Sequence, residues 1–484
     1  MTMTRCTNAE ESLILNIQSQ AIPEPNSPIH SLPPEILSKI FLLTFKDDPY
    51  SILMTGGPWL LGRVCRWWRD IAWCYPALWS SFKVNLPRQR SRTERLDVEV
   101  RILQEALHRA RQSGLSMDID ADILCHDRAD AITQTLLQHA PQWENIRLSG
   151  RMVDIWARQW SRFTDSSPAR FPLLKSLHLD AHFPKGLHAT LSIFNHAPIL
   201  RHLRFIILIP LPMHFHPDKM PFPWSHLTHL HLSVFENDGA TRGAIIKVLR
   251  LCTNLEELTE QSALCLEQDP ISPLTLQKLC SLTVKSFRLL QCLVYPILEY
   301  LLFTMPPEEP GPSGSLPLFH QFFECSGSQL QTLDICIMGD SMDPVQLFSY
   351  LPRLHKLHLF FPDDNDKDPS RFFKCLGDTS AVLPSLSDLG LRVGKIFTWD
   401  ESLVEIIDKR WRDSGLSRVC IRCDEACVGE NGDQAAQTLS CIDHLKSLKA
   451  EELDISILVK GSNEIRYDLF EDDAHNNVLY STVY

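Results

Sequence analysis

Cysteine and histidine are the residues of this chain whose types and spacing could do chemistry. Cys420-Ile421-Arg422-Cys423 forms a C-x-x-C pair, with Cys427 and Cys441 downstream. Thiolates so spaced can hold zinc, but zinc sites usually show two such knuckles. Cys420 also flanks Ile421, an apolar strand position, so the pair reads as reduced structural thiols. His178, His231 and His358 each stand between two leucines, and His202, His229 and His355 lie nearby. Strand alternation places such a histidine opposite the leucines, on an exposed face. Stacked imidazoles can bind metal or sense pH. No carboxylate recurs beside them at a fixed spacing, so they read as surface polar positions. The chain has no G-x-S-x-G, no G-x-x-x-x-G-K-S/T, no H-E-x-x-H and no G-x-G-x-x-G after a strand. No catalytic residue, metal ligand or cofactor is therefore assigned, and the expectation is a binding protein and not an enzyme.

The segments that carry these histidines repeat. The pattern L-x-x-L-x-L fits Leu174-Leu177-Leu179, Leu200-Leu203-Phe205, Leu227-Leu230-Leu232 and Leu330-Leu333-Ile335, with Leu354-Leu357-Leu359 and Leu386-Leu389-Leu391 as close copies. Leu279-Leu282-Val284, Leu298-Leu301-Phe303 and Leu416-Val419-Ile421 are variants, and Leu255-Leu258 and Trp143-Ile146-Leu148 are weaker ones. First positions at 174, 200, 227, 255, 279, 298, 330, 354, 386 and 416 give steps of 26, 27, 28, 24, 19, 32, 24, 32 and 30 residues. The L-x-L pair puts two side chains on the inner face of a short strand, with polar neighbours on the other face. The pattern resembles leucine-rich repeats, whose period is about 20–29 residues. The resemblance implies an α/β solenoid over residues 114–460.

A second pattern lies near the N-terminus. Ser31-Leu32-Pro33-Pro34-Glu35-Ile36-Leu37-Ser38-Lys39-Ile40-Phe41 suits a helix with proline in its first turn and one apolar stripe, Ile36, Leu37, Ile40 and Phe41. Leu60, Leu61, Val64, Cys65, Trp68, Ile71 and Ala72 form another stripe, ahead of Tyr75-Pro76-Ala77-Leu78-Trp79. Two or three short helices cannot bury that surface among themselves, so it must pack on the rest of the chain or on a partner. The pattern L-P-x-E-I-L-x-x-I-F, then V-C-x-x-W-R-x-I-A and P-x-L-W, resembles the F-box, most closely the F-box-like domains of fungal proteins. It departs from the shortest members in a longer loop, Asp47 to Pro58.

Composition bounds the rest. At 484 residues the chain exceeds one ordinary core. It has 44% hydrophobic and 22% charged residues, as a folded protein does. Its net charge of −12 makes it a poor general binder of nucleic-acid backbones. Fifteen cysteines and no sustained apolar stretch between Met1 and Ser31 favour reduced thiols in cytoplasm or nucleus. Leu289 to Phe303, interrupted by Gln291, Pro296 and Glu299, is too polar to span a membrane. The expected fold class is α+β. Residues 1–28 form a disordered segment, 29–82 an F-box-like all-α domain, and 83–113 a linker and capping helix. The solenoid runs over 114–460, and 461–484 is an acidic tail or cap.

The F-box resemblance implies docking on the Skp-type adaptor of a cullin-RING ubiquitin ligase through Leu32, Pro33, Ile36, Leu37, Ile40, Val64, Cys65 and Trp68. The repeats would bind an unknown protein substrate, with His178, Arg204, His231, Lys356 and His358 as candidate contacts. Neither nucleic acid nor membrane is an expected partner. The alternatives are an F-box protein acting outside ligase complexes, or a leucine-rich-repeat scaffold whose N-terminal helices only cap the array.

Overall fold

The computed structural model describes residues 28–45, 50–51, 56–86, 96–121, 126–150, 171–181, 191–207, 216–234, 239–262, 274–285, 289–290, 293–303, 322–324, 327–337, 343–361, 370–377, 382–394, 399, 401–424, 433–460 and 466–468. The expected disordered segment and most of the acidic tail lie outside them, as does Cys427. The chain divides into two compact units, Met1–His226 and Leu227–Tyr484.

The first unit opens with three short helices: α1 (Pro34–Thr44), α2 (Pro58–Val64) and α3 (Arg66–Cys74). Pro34 and Pro58 take first-turn positions, where no N–H is needed. Cys65 is extended, at φ −158° and ψ 170°, and divides α2 from α3; its Sγ accepts the Trp68 N–H at 3.4 Å as an N-cap. Gly57 adopts φ +59° beneath the Tyr50 ring, and a Cβ there would lie 2.3 Å from Tyr50 Cγ. Tyr50 in turn donates its hydroxyl to the Leu78 carbonyl at 3.1 Å.

Strand β1 (Ser81–Leu86) follows directly, with Phe82 and Val84 buried. The strand runs across the expected boundary at residue 83 and is covered by the neighbouring β2. Helix α4 (Leu96–Ala110) buries Leu103, Ala106, Leu107 and Ala110 at helical spacing. Then come β2 (Leu115–Ala121), α5 (His126–Leu137), β3 (Trp143–Gly150), β4 (Ser176–Ala181) and β5 (His202–Ile207). All five strands are parallel and adjacent in chain order.

The second unit repeats this scheme. Its main sheet starts at β6 (His229–Val234), followed by α6 (Gly239–Leu251) and β7 (Glu257–Glu260). The short strand β8 (Leu274–Thr275) pairs apart, with β10 (Leu293–Val294). The main sheet continues through β9 (Ser281–Val284), β11 (Tyr300–Phe303), β12 (Thr332–Cys336), β13 (Lys356–Phe361), β14 (Asp388–Val393), β15 (Arg418–Asp424) and β16 (Asp454–Lys460), all parallel. Helices α7 (Pro344–Ser349), α8 (Ser370–Leu376), α9 (Glu401–Ser414) and α10 (Asp433–Ala450) fall between the later strands. β17 (Arg466–Asp468) turns back antiparallel on β16. The fold is thus mixed helix and strand with a large parallel sheet, as the α+β expectation held.

Register makes the core. Leu230, Leu258, Leu282, Leu301, Leu333, Leu357, Leu389, Val419 and Ile455 are successive cross-strand partners, each 2% exposed or less. Every one except Ile455 was an inner position of the sequence repeat. A slip of one residue on any strand would turn its row outward, so the stack fixes register. Arg410 of α9 is fully buried and clamps a loop, donating to the carbonyls of Leu376, Val382 (2.6 Å) and Leu383 (3.2 Å). Leu383 has φ +51°, a strained setting for a branched side chain, and this clamp holds it there.

Candidate functional site

Two surfaces stand out, the N-terminal helices and the polar face of the strands. The first is on the N-terminal helices. On α1, Leu37 and Phe41 pack inward, and the Phe41 ring lies 4.8 Å from that of Trp68 on α3. Ile36, Ile40 and Leu43 face out at 43, 43 and 65% exposure, and on α2 Leu60 and Val64 are each 50% exposed. Positions 36, 40 and 43 share one helical face, as do 60 and 64. The single stripe read from sequence is therefore two stripes back to back. A helix apolar on both faces needs a second surface to cover it.

The docking set implied by resemblance separates accordingly. Ile36, Ile40 and Val64 project outward, Pro33 is exposed, and Leu32 and Trp68 are half-buried. Leu37 and Cys65 point into the unit at 0% and 8% exposure, so they brace the helices and do not themselves meet solvent. Leu37 lies on the face of α1 that carries Phe41, and the extended Cys65 resets the helical phase between Val64 and Trp68. Leu43 was missed, and Leu60, though read as part of the second stripe, was left out of the docking set, although their i+7 and i−4 spacing to Ile36 and Val64 signalled them.

An aromatic box fixes these helices to α4. The Arg109 guanidinium lies 4.3 Å from the Trp73 ring centroid, 5.3 Å from Trp79 and 5.9 Å from Trp59. Trp59 and Trp79 meet edge to face at 4.7 Å, and Glu105 pairs with Arg109 at 2.6 Å. Cation–π contacts of this kind contribute about 1 kcal/mol each when partly desolvated.

The second surface is the polar face of the parallel strands. In the first unit, cross-strand neighbours form the row Lys83, Asp118, Arg147, His178, Arg204. Arg147 reaches Asp118 at 3.7 Å. Burial raises the Asp118 pKa against the pull of Arg147, and burial with Arg147 nearby lowers that of Arg204. His178 and Arg204 are thus brought side by side.

In the second unit, Lys356 and His358 share one face of β13. His231 lies on that face of β6, five strands away, about 24 Å at ordinary strand spacing. His358 is held between two carboxylates, with Nδ1 2.6 Å from Asp334 Oδ1 and Nε2 3.9 Å from Asp388 Oδ1. Asp334 first, then Asp388, raises the imidazole pKa to about 9 despite burial, and His358 holds the Asp388 carboxyl below its usual range. Tyr300 donates its hydroxyl to Asp334 Oδ2 at 3.0 Å. Gly390 lies directly across from His358, where a Cβ would sit 2.4 Å from the imidazole Cδ2. Glycine lets the ring lie over β14.

One residue row further along, Phe360, Arg392 and Arg422 are cross-strand partners. The Arg392 guanidinium sits 4.5 Å over the Phe360 ring. A cavity of about 460 Å³ opens here, lined by Lys285, Asp334, His358, Phe360, Arg392 and Arg422 among others. Cys336 lies in the same wall, its thiol pKa pushed up to about 11 by burial.

The C-x-x-C pair is split. Cys420 faces the cavity and Cys423 is buried on the other side of β15, because residues three apart on a strand point oppositely. Among the described residues no cluster of three or more His, Cys, Asp or Glu could hold a metal ion. Among them also, no helix is long and apolar enough to cross a membrane.

No family model matches this sequence. No curated protein matches it. Similar solved structures include the Rad7 and Elc1 complex from yeast, at 14% identity and a TM-score of 0.34, covering 77% of this chain and 85% of that one. Another is a protein from Bacteroides fragilis, at 13% identity and a TM-score of 0.28, covering 65% of this chain and 76% of that one.

Proposed function

We propose that this chain is a substrate-recognition adaptor of an SCF-type ubiquitin ligase. Its N-terminal helices dock on a Skp-type adaptor, and through it on a cullin-RING ligase, while its strand face selects a protein substrate. The observation that carries this reading is the outward ridge Ile36-Ile40-Leu43 with Leu60-Val64, on helices whose other faces are already packed. Covering such half-exposed aliphatic side chains contributes about 1 kcal/mol each. The F-box pattern over residues 29–82 names the kind of partner that would cover them.

We read the strand region as degenerate leucine-rich repeats in a solenoid. Supporting this are the in-register aliphatic stack and the parallel order of strands joined by helices and irregular returns. The chain would act by proximity, holding a target near the ligase, and needs no catalytic residue of its own. Cytoplasm or nucleus is the compartment this role requires.

Co-purification with a Skp-type adaptor and cullin tests the reading, comparing wild type with Ile36→Asp/Val64→Asp. A stable complex is expected for wild type and none for the variant. If the wild-type chain elutes alone while folded, the reading fails.

A further inference from the structure

We infer that the cavity over β12–β15 is the seat of an anionic side chain, carboxylate or phosphoryl, carried on an extended segment of the protein substrate. The inference rests on the adaptor reading and adds the chemical class of the target.

Three observations carry it. Arg392 and Arg422 are direct cross-strand partners, so two arginine side chains leave neighbouring positions on one face of the sheet, and both line the cavity. Like charges directly opposite are destabilising unless an anion lies between them. Among the described residues neither arginine has a carboxylate within salt-bridge distance, although other cations of this unit, such as Arg412 and Arg418, do. Lys285 adds a third cation to the same cavity wall. In a chain of net charge −12, this is a local reversal of sign.

The geometry around the pair is also prepared. Phe360 lies beneath the Arg392 guanidinium at 4.5 Å, which orients its plane and leaves its edge N–H groups to reach a ligand. His358 is braced by Asp334 and Asp388 and lies over Gly390, so the acidic groups of this face are already partnered by the chain's own imidazole. The floor therefore offers one oriented guanidinium, that of Arg392, with Arg422 on the next strand and an aromatic ring beside them. The volume of about 460 Å³ suits one or two side chains, within the ordinary range of ligand sites. Charge complementarity selects an anion, and the adjoining ring selects an apolar neighbour beside it.

The test uses the full chain and a dodecapeptide array with central Glu-Phe, phosphoserine-Phe or Gln-Phe in otherwise randomised context. Binding is compared for wild type, Arg392→Ala/Arg422→Ala and Arg418→Ala, each checked for folding by circular dichroism and for adaptor co-purification. Wild type is expected to favour Glu-Phe or phosphoserine-Phe over Gln-Phe by about tenfold or more, the worth of one charge-assisted hydrogen bond. Whichever of the two anionic arms is stronger identifies the source of the charge. The double variant should lose this preference and Arg418→Ala should keep it. Equal binding of the Gln-Phe arm overturns the inference, as does an anion preference that survives the double variant. So does inorganic phosphate displacing every peptide at concentrations that leave ionic strength unchanged, which would mark a free-anion site. Adaptor capture without anion preference sinks this inference alone; anion preference without adaptor capture sinks only the docking half of the proposed function.

Discussion

His358 shows how one side chain ties three strands together. Its pKa is raised from 6.5 to about 9 in the folded chain, so folding is favoured by protonation. That contribution is complete below pH 6.5, declines as pH rises, and is gone above about 9. Asp388 behaves oppositely: held below 3.8, it contributes above that pH and loses its part as pH falls through the lowered value. Urea midpoints measured from pH 5 to 10 should therefore drop across the alkaline limb, and His358→Gln should flatten that limb. An unchanged alkaline slope in the variant would show that other groups set it. Arg410 is the second residue on which much depends. Replacing it with methionine removes its hydrogen bonds to three carbonyls, of which, among the described residues, only that of Leu383 keeps another donor, the Leu386 N–H, and leaves a strained Leu383 less supported, at a cost of about 3 kcal/mol in denaturant unfolding.

At the scale of elements, the N-terminal helices make the sharpest contrast. Ile40→Asp should change stability by less than about 0.5 kcal/mol while abolishing capture of a Skp-type adaptor. Leu37→Asp, three residues earlier, should unfold the helical unit, because the carboxylate would enter a site with 0% exposure. Thermal melts and pull-down on the two variants separate the faces; similar behaviour of both would mean α1 has no free face. Gly57→Ala should cost about 1–3 kcal/mol, since φ +59° and the Tyr50 ring both oppose a Cβ. The same element scale explains the C-x-x-C pair. On a helix or a loop its thiols could converge; on β15 they face opposite sides.

At the scale of the molecule, edges and register decide the behaviour. β17 covers the outer edge of β16, and Ser51 bridges Lys83 of β1 while the Tyr50 carbonyl accepts the Lys83 N–H at 2.8 Å. Truncation ahead of Arg466 should free the β16 edge and produce concentration-dependent self-association by sedimentation, because an unpaired strand edge templates pairing. A truncated chain that stays monomeric would show the edge is protected otherwise. Much of this architecture was legible beforehand. Leucines recurring in one local pattern specify strands with an inner and an outer face, since a period of two is a purely local property. The helices of residues 34–74 were legible for the same reason, as was the outward placement of His178, Arg204, Lys356 and His358. Which side of α1 meets solvent was not, because it depends on Phe41 finding Trp68 on a separate helix whose phase is set by the extended Cys65. β1 was hidden because its alternating Phe82, Val84 and Leu86 gain meaning only when β2 lies alongside. The cavity was hidden more deeply, for Phe360, Arg392 and Arg422 lie 32 and 30 residues apart in the chain and become neighbours only through strand register. Sequence alone determined what each strand shows on its two faces; only the tertiary structure decided which exposed residues stand together, because hydrogen-bonded register, and not chain distance, sets those neighbours.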